Sequence, residues 1–159
     1  MANDEHKQPF EPPSPDPALK RMGVMVGTWE MKGHTLDTSE INITGRMKCE
    51  WLPGGFFLKQ TGEITFKGFT IQSLEVIGYD PASQTFSSHA YTNVSGGRVE
   101  TYHWDVQGSV VTHWNESSKY TGTLSDDGRT LTGGWRPLEG TEPESDGGDA
   151  YDVVMTRVD

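Results

Sequence analysis

The densest collection of aromatic and titratable side chains is TYHWDVQGSVVTHWNE, residues 101–116. His-Trp occurs twice within it, at His103-Trp104 and His113-Trp114. Histidine titrates near neutral pH, so it can give or take a proton there with little tuning. Tryptophan offers a broad apolar face. The combination suits a conjugated ligand that carries an oxygen. Its flat face would be buried against Trp104 and Trp114, and its oxygen held by one oriented hydrogen bond from His103 or His113. Asp105 or Glu100 could orient one of the histidines.

The segment reads as a hairpin, and its register decides which groups share a face. A three-residue loop at 107–109 places His103 opposite His113, whereas a two-residue loop places Tyr102 opposite His113. A one-residue slip moves one histidine to the other face. In the opposing arrangement both histidines lie outside, while Tyr102 and Trp104 fill the inside. All of these remain open at this point. His103 and His113 are the candidate acid–base residues. Tyr102, Trp104 and Trp114 are candidate ligand contacts, and Trp51, Tyr91, Tyr120 and Trp135 join them from elsewhere in the chain. Five tryptophans in 159 residues are enough to line a pocket for a flat or apolar ligand, although any single one serves equally well as core.

Stronger catalytic signatures are missing. There is no GxSxG, no GxxxxGK and no HExxH, and no His/Cys/Asp cluster has metal-ligand spacing. No metal and no cofactor is expected. Cys49, the single cysteine, falls on an apolar strand face and reads as a small core residue. His89 has uncertain parity. Lys59, Glu63, Glu75 and Arg98 sit at strand positions and are expected outward and solvated, because a buried charge needs a partner.

The elements that position these groups follow from a period of two. Ile41, Ile43, Gly45, Met47, Cys49 and Trp51 alternate with Asn42, Thr44, Arg46, Lys48 and Glu50, which predicts a strand with one apolar face. Nine further strands are expected near 26–35, 56–66, 69–79, 85–94, 98–106, 109–116, 119–125, 130–137 and 150–158. Turn signals separate them, including PGG at 53–55, KG at 67–68, DPAS at 80–83 and DDG at 126–128. Short strands in meander order exclude a parallel α/β sheet. An all-β, up-and-down antiparallel barrel of about 8–10 strands is preferred to a sandwich, because closure removes exposed edges. Asp16 and Pro17 predict an N-cap and first position of a short helix over 17–25, with Leu19 and Met22 on its inner face. That helix would plug one end. Residues 1–17, with five prolines in PFEPPSPDP, read as a flexible tail before a barrel domain at 18–159. Residues 139–149 read as one long acidic loop.

The net charge of −10 argues against nucleic acid and against anionic membrane. No apolar run approaches the roughly 18–20 residues of a membrane span. The start of the chain lacks an apolar signal core, so a reducing cytoplasm is expected, and Asn-x-Ser/Thr at Asn42, Asn93 and Asn115 reads as chance. The partners left are a small ligand and a second copy of the chain.

Four stretches carry a family resemblance: LKRMGVMVGTWE at 19–30, EWLPGGFFL at 50–58, EVIGYDPASQTF at 75–86 and SDDGRTLTGGW at 125–135. Together they resemble a bacterial family of uncharacterised, lipocalin-like proteins of the calycin group, over about residues 19–158. Gly27-Thr28-Trp29 is similar to the Gly-x-Trp element that opens such barrels, which implies a structural Trp29 at the closed end. The heme-binding nitrobindins share this architecture, but their repeated-glycine opening motif has no close match here. The expected function is binding of a small hydrophobic or aromatic molecule inside the barrel. The alternatives are a cofactor-independent cyclase or isomerase with His/Tyr acid–base groups in the same cavity, and a protein-interaction module that uses an outer face. An ionisable pair facing a closed, apolar cavity would favour the enzyme.

Overall fold

A computed structural model describes residues 8–140 and 150–159. Part of the expected tail, residues 1–7, and most of the acidic loop, residues 141–149, lie outside the described residues. Residues 8–16 carry no regular secondary structure. A 3-10 helix over Pro17–Met25 follows, capped by the Asp16 side chain, which accepts from the Ala18 N–H at 2.9 Å. Its inward residues Leu19, Met22 and Met25 are buried.

Ten strands complete the chain: β1 (Gly27–Thr35), β2 (Ile43–Trp51), β3 (Leu58–Phe66), β4 (Phe69–Asp80), β5 (Thr85–Thr92), β6 (Glu100–Gln107), β7 (Val110–Trp114), β8 (Ser118–Leu124), β9 (Thr130–Pro137) and β10 (Tyr151–Arg157). Each pairs antiparallel with its neighbours in sequence, and β1 also pairs with β10, so the sheet closes into one barrel. Among the described residues no helix is long and apolar enough to cross a membrane.

The period of two places one set of side chains inside. Ile43, Met47 and Cys49 of β2 are buried, as the alternation predicts, but Ile41 is 56% exposed. The reason is local. The Asn42 side chain accepts from the Thr35 N–H at 3.0 Å and donates to Thr35 Oγ1 at 2.9 Å, which ties off the β1–β2 connection before the strand begins. The β3–β4 hairpin closes through Lys67 and Gly68, both at positive φ (49° and 84°), the geometry of a tight turn that follows strand twist.

The helix plugs one end. Trp29 is fully buried beneath it and donates its indole N–H to the Met25 carbonyl at 2.9 Å. The Arg157 guanidinium lies 4.4 Å from the Trp29 ring centroid and donates to the carbonyls of Val24 and Val26. One side chain of β10 thus satisfies the helix's last carbonyls and covers the tryptophan face.

Candidate functional site

The barrel is not filled. A cavity of about 180 Å³ lies inside it, with Met25 of the helix among its walls. Its lining is largely apolar and aromatic: Met31, Met47, Val111, Leu131 and Met155, then Tyr102, Trp104, Tyr120, Trp135 and Tyr151. Five polar side chains also line it, namely Gln60, Ser73, Glu75, Thr92 and His113.

The histidine–tryptophan hairpin adopts neither of the two expected registers. Its loop is Gly108-Ser109, with Gln107 opposite Val110, and Trp104 therefore pairs with His113. Gly108, at φ 59°, takes the first turn position. The two histidines consequently separate. His113 points inward beside Tyr102 and Trp104. His103 lies on the exposed outer face, with its ring 5.7 Å from that of Trp114.

His113 sits in an aromatic clasp. Its ring stacks on Trp104 at 3.7 Å and 17°, and its centroid lies 4.8 Å from Tyr102 and 5.1 Å from Trp135. Its Nε2 is 3.1 Å from Glu75 Oε1 across the barrel. Ser88 donates to the same oxygen at 2.8 Å, and the Trp104 indole N–H donates to Ser88 Oγ at 3.2 Å. Glu75 is 5% exposed. Burial works against its charge. The adjacent His113 charge and the hydrogen bonds of His113, Ser88 and Trp104 outweigh that and hold the carboxyl below its ordinary value. The result is a buried carboxylate that fixes one ring nitrogen of a histidine. His113 Nδ1 has no hydrogen-bond partner among the described residues.

Tyr120, directly opposite His113 on β8, supplies a second polar feature. It is 94% buried by its 6% exposure, lines the cavity, and its hydroxyl has no hydrogen-bond partner among the described residues. Burial pushes this phenol's pKa upward, so it stays protonated and able to donate. An unpartnered buried hydroxyl is costly, by about 1–3 kcal/mol. Gly122 makes room for it: a Cβ there would lie 2.3 Å from the Tyr120 hydroxyl oxygen.

The remaining candidates divide. Trp104, Tyr102, Tyr120 and Trp135 line the cavity with His113. Tyr91, 48% exposed, and Trp114, beneath the Lys119 ammonium at 5.5 Å, lie on the outer face. Trp51 borders a hollow under the helix with Pro15, Leu19 and Gly55, apart from the cavity. Neither expected histidine partner takes that role. Glu100 accepts from the Tyr102 hydroxyl at 2.9 Å, and Asp105 faces outward 3.7 Å from Arg21. The partner is Glu75, expected outward and found inside. Its signal was on β4, where Ile71, Ser73, Glu75 and Ile77 share one parity. Cys49 is a core residue as expected, 3.4 Å from Gln60 Oε1, and burial pushes its thiol up to about 12.

A larger hollow of about 740 Å³ runs across the outer wall over β1, β10, β9 and β8, past Lys32, Lys119 and Arg136. It is shallow, and Arg136 there is already paired with Asp152 at 2.7 Å. The smaller interior cavity is the better candidate, because it holds the buried dyad and the unpartnered phenol. No group of three or more His, Cys, Asp or Glu among the described residues is arranged to hold a metal.

Comparison with solved structures gives the crystal structure of Rv2717c from M. tuberculosis, at a TM-score of 0.60 and 13% identity, over 92% of this chain and all of that one. At that identity the likeness speaks for the barrel alone. No curated protein matches. Residues 14–149 match the family model described as "Protein of unknown function (DUF1579)", which covers most of the chain, and the protein belongs to that family.

Proposed function

We propose that the protein binds a small, uncharged, single-ring molecule inside the barrel, with residues 18–159 as the ligand-holding unit. The observation that carries this reading is the aromatic-lined cavity bordered by Tyr120, whose hydroxyl is enclosed and unpartnered among the described residues. A ligand oxygen would relieve it, and the indoles of Trp104 and Trp135 would take the ring. Size supports the same class. A cavity of about 150 Å³ lined by apolar side chains holds benzene, and this one is about 180 Å³. The lipocalin-like character of Gly27-Thr28-Trp29 agrees with an interior ligand compartment.

The test is a titration with phenol and, separately, benzene, followed by the indole N–H signals in a ¹H–¹⁵N spectrum. Both should bind saturably and shift the Trp104 and Trp135 signals. Phenol should bind about 2–10-fold more tightly, as one hydrogen bond of roughly 0.5–1.5 kcal/mol implies. Tyr120→Phe should remove that difference. If neither compound binds at millimolar concentration, the reading is wrong.

A further inference from the structure

The dyad is more than a binding contact requires. A ligand held by Tyr120 needs no buried carboxylate, yet Glu75 is enclosed, ionised and aimed at His113 Nε2. Burying a carboxylate is expensive unless it is paired and hydrogen-bonded, and here three side chains are spent on it, His113 and Ser88 directly and Trp104 behind them. What this achieves is to fix the imidazole. In the neutral ring, Nε2 carries its proton toward Glu75 and Nδ1 keeps the free lone pair, without a partner among the described residues. The phenol that could donate to a substrate oxygen stands opposite on β8. The His113 and Tyr120 rings both lie against Trp135, at 5.1 and 5.9 Å, and both residues line the cavity.

We infer that the cavity performs proton transfer at the carbon next to the carbonyl of a small, uncharged ketone or aldehyde, with His113 as base and Tyr120 as hydrogen-bond donor to the carbonyl oxygen. This rests on the binding reading above. The step is redox-neutral and needs no co-reactant. The α C–H bond breaks and its proton goes to His113 Nδ1. The C–H electron pair becomes the carbon–carbon π bond, and the carbonyl π pair moves onto oxygen, where the Tyr120 hydroxyl holds the growing charge. Glu75 faces the imidazolium that forms and steadies it; it touches no reacting atom and is a positioning residue. Return of the proton to the same carbon exchanges it with solvent. In a β,γ-unsaturated ketone, return to the far end of the conjugated system moves the double bond.

The probe is cyclohexanone in D₂O, with deuterium incorporation at the α carbons followed by ¹H NMR, and its binding measured independently by displacement of phenol. The wild-type protein should accelerate exchange at least about 100-fold over buffer at the same pH. His113→Gln should abolish the acceleration. Tyr120→Phe, which keeps the ring packing, should lower it by about 100-fold or to the buffer rate, as for loss of one oxyanion donor. Glu75→Gln should lower the rate and move its pH dependence, with little change in cyclohexanone affinity; a merely structural role would leave the pH profile in place. His103→Ala, on the outer face, should exchange at the parent rate. If cyclohexanone displaces phenol but exchanges no faster than in buffer, the proton-transfer inference fails and binding stands. Exchange that survives in both His113→Gln and Tyr120→Phe also overturns it. If cyclohexanone does not displace phenol, this inference fails; if phenol itself does not bind, the binding reading fails with it.

Discussion

Removing His113 isolates a buried carboxylate, and the cost should depend on pH with a definite sign. In the parent protein the folded Glu75 carboxyl is held below its ordinary value of 4.5. A depressed carboxyl contributes stability above its unfolded value and loses it as pH falls through the folded one. In His113→Ala the hydrogen bonds from Ser88 and Trp104 remain, but the opposing charge is gone. Burial, the largest influence on this group, then dominates and lifts the folded carboxyl above 4.5. The variant therefore loses stability as pH rises from about 4 towards 7. At pH 7 the loss relative to the parent should be about 3–5 kcal/mol, as for breaking a buried pair by removing one partner. At pH 4 the variant's Glu75 is protonated, and the loss falls to about 1–2 kcal/mol for the vanished Trp104 stack and hydrogen bond. Replacing both groups, Glu75→Leu with His113→Leu, should restore much of the pH 7 stability, because two apolar side chains leave nothing uncompensated. Urea denaturation followed by tryptophan fluorescence at pH 4 and 7 measures all three differences. A His113→Ala loss below about 1 kcal/mol at pH 7, or one equal at both pH values, would refute the account of the dyad.

Trp29→Ala should cost about 3–5 kcal/mol in denaturant unfolding, because it empties the barrel's plugged end and removes the ring beneath the Arg157 guanidinium; ligand loss without instability would instead place Trp29 in the site. Cys49, with its thiol pushed up to about 12, should react with a thiol reagent only as fast as the barrel opens, so labelling much faster than unfolding contradicts its enclosure. Removing residues 1–13 should leave the melting temperature nearly unchanged, while Pro15, which packs against Gly55, is kept; a fall of more than several degrees means that the tail docks on the barrel.

The barrel was legible because its determinants are local. Alternation marks each wall, Gly, Pro, Asp and Asn mark the turns, and Asp16-Pro17 marks the helix start. Boundaries moved where side chains capped loops. Between β5 and β6 the Ser95 hydroxyl donates to the Arg98 carbonyl at 2.8 Å, so the connection is longer than the flanking apolar residues suggested. The site was only half legible. The composition of residues 101–116 pointed to a hairpin that lines the cavity, and His113, Tyr102 and Trp104 do meet. Their register depended on whether Gln107 or Gly108 opened the turn, and glycine's freedom at positive φ decided it. The Glu75–His113 contact joins residues 38 apart in sequence across the barrel interior, so no local pattern could announce it. Whether the interior is hollow depends on how some twenty side chains pack together, which alternation alone does not determine.

The central claim is that the interior cavity takes a single-ring molecule at Tyr120. A crystal structure of the protein soaked with phenol tests it most directly. One phenol is expected inside the barrel against Trp135, with its oxygen within about 3.2 Å of the Tyr120 hydroxyl oxygen. A cavity closed by side-chain collapse, or phenol bound only on the outer face beside Tyr91 or Trp114, would contradict it.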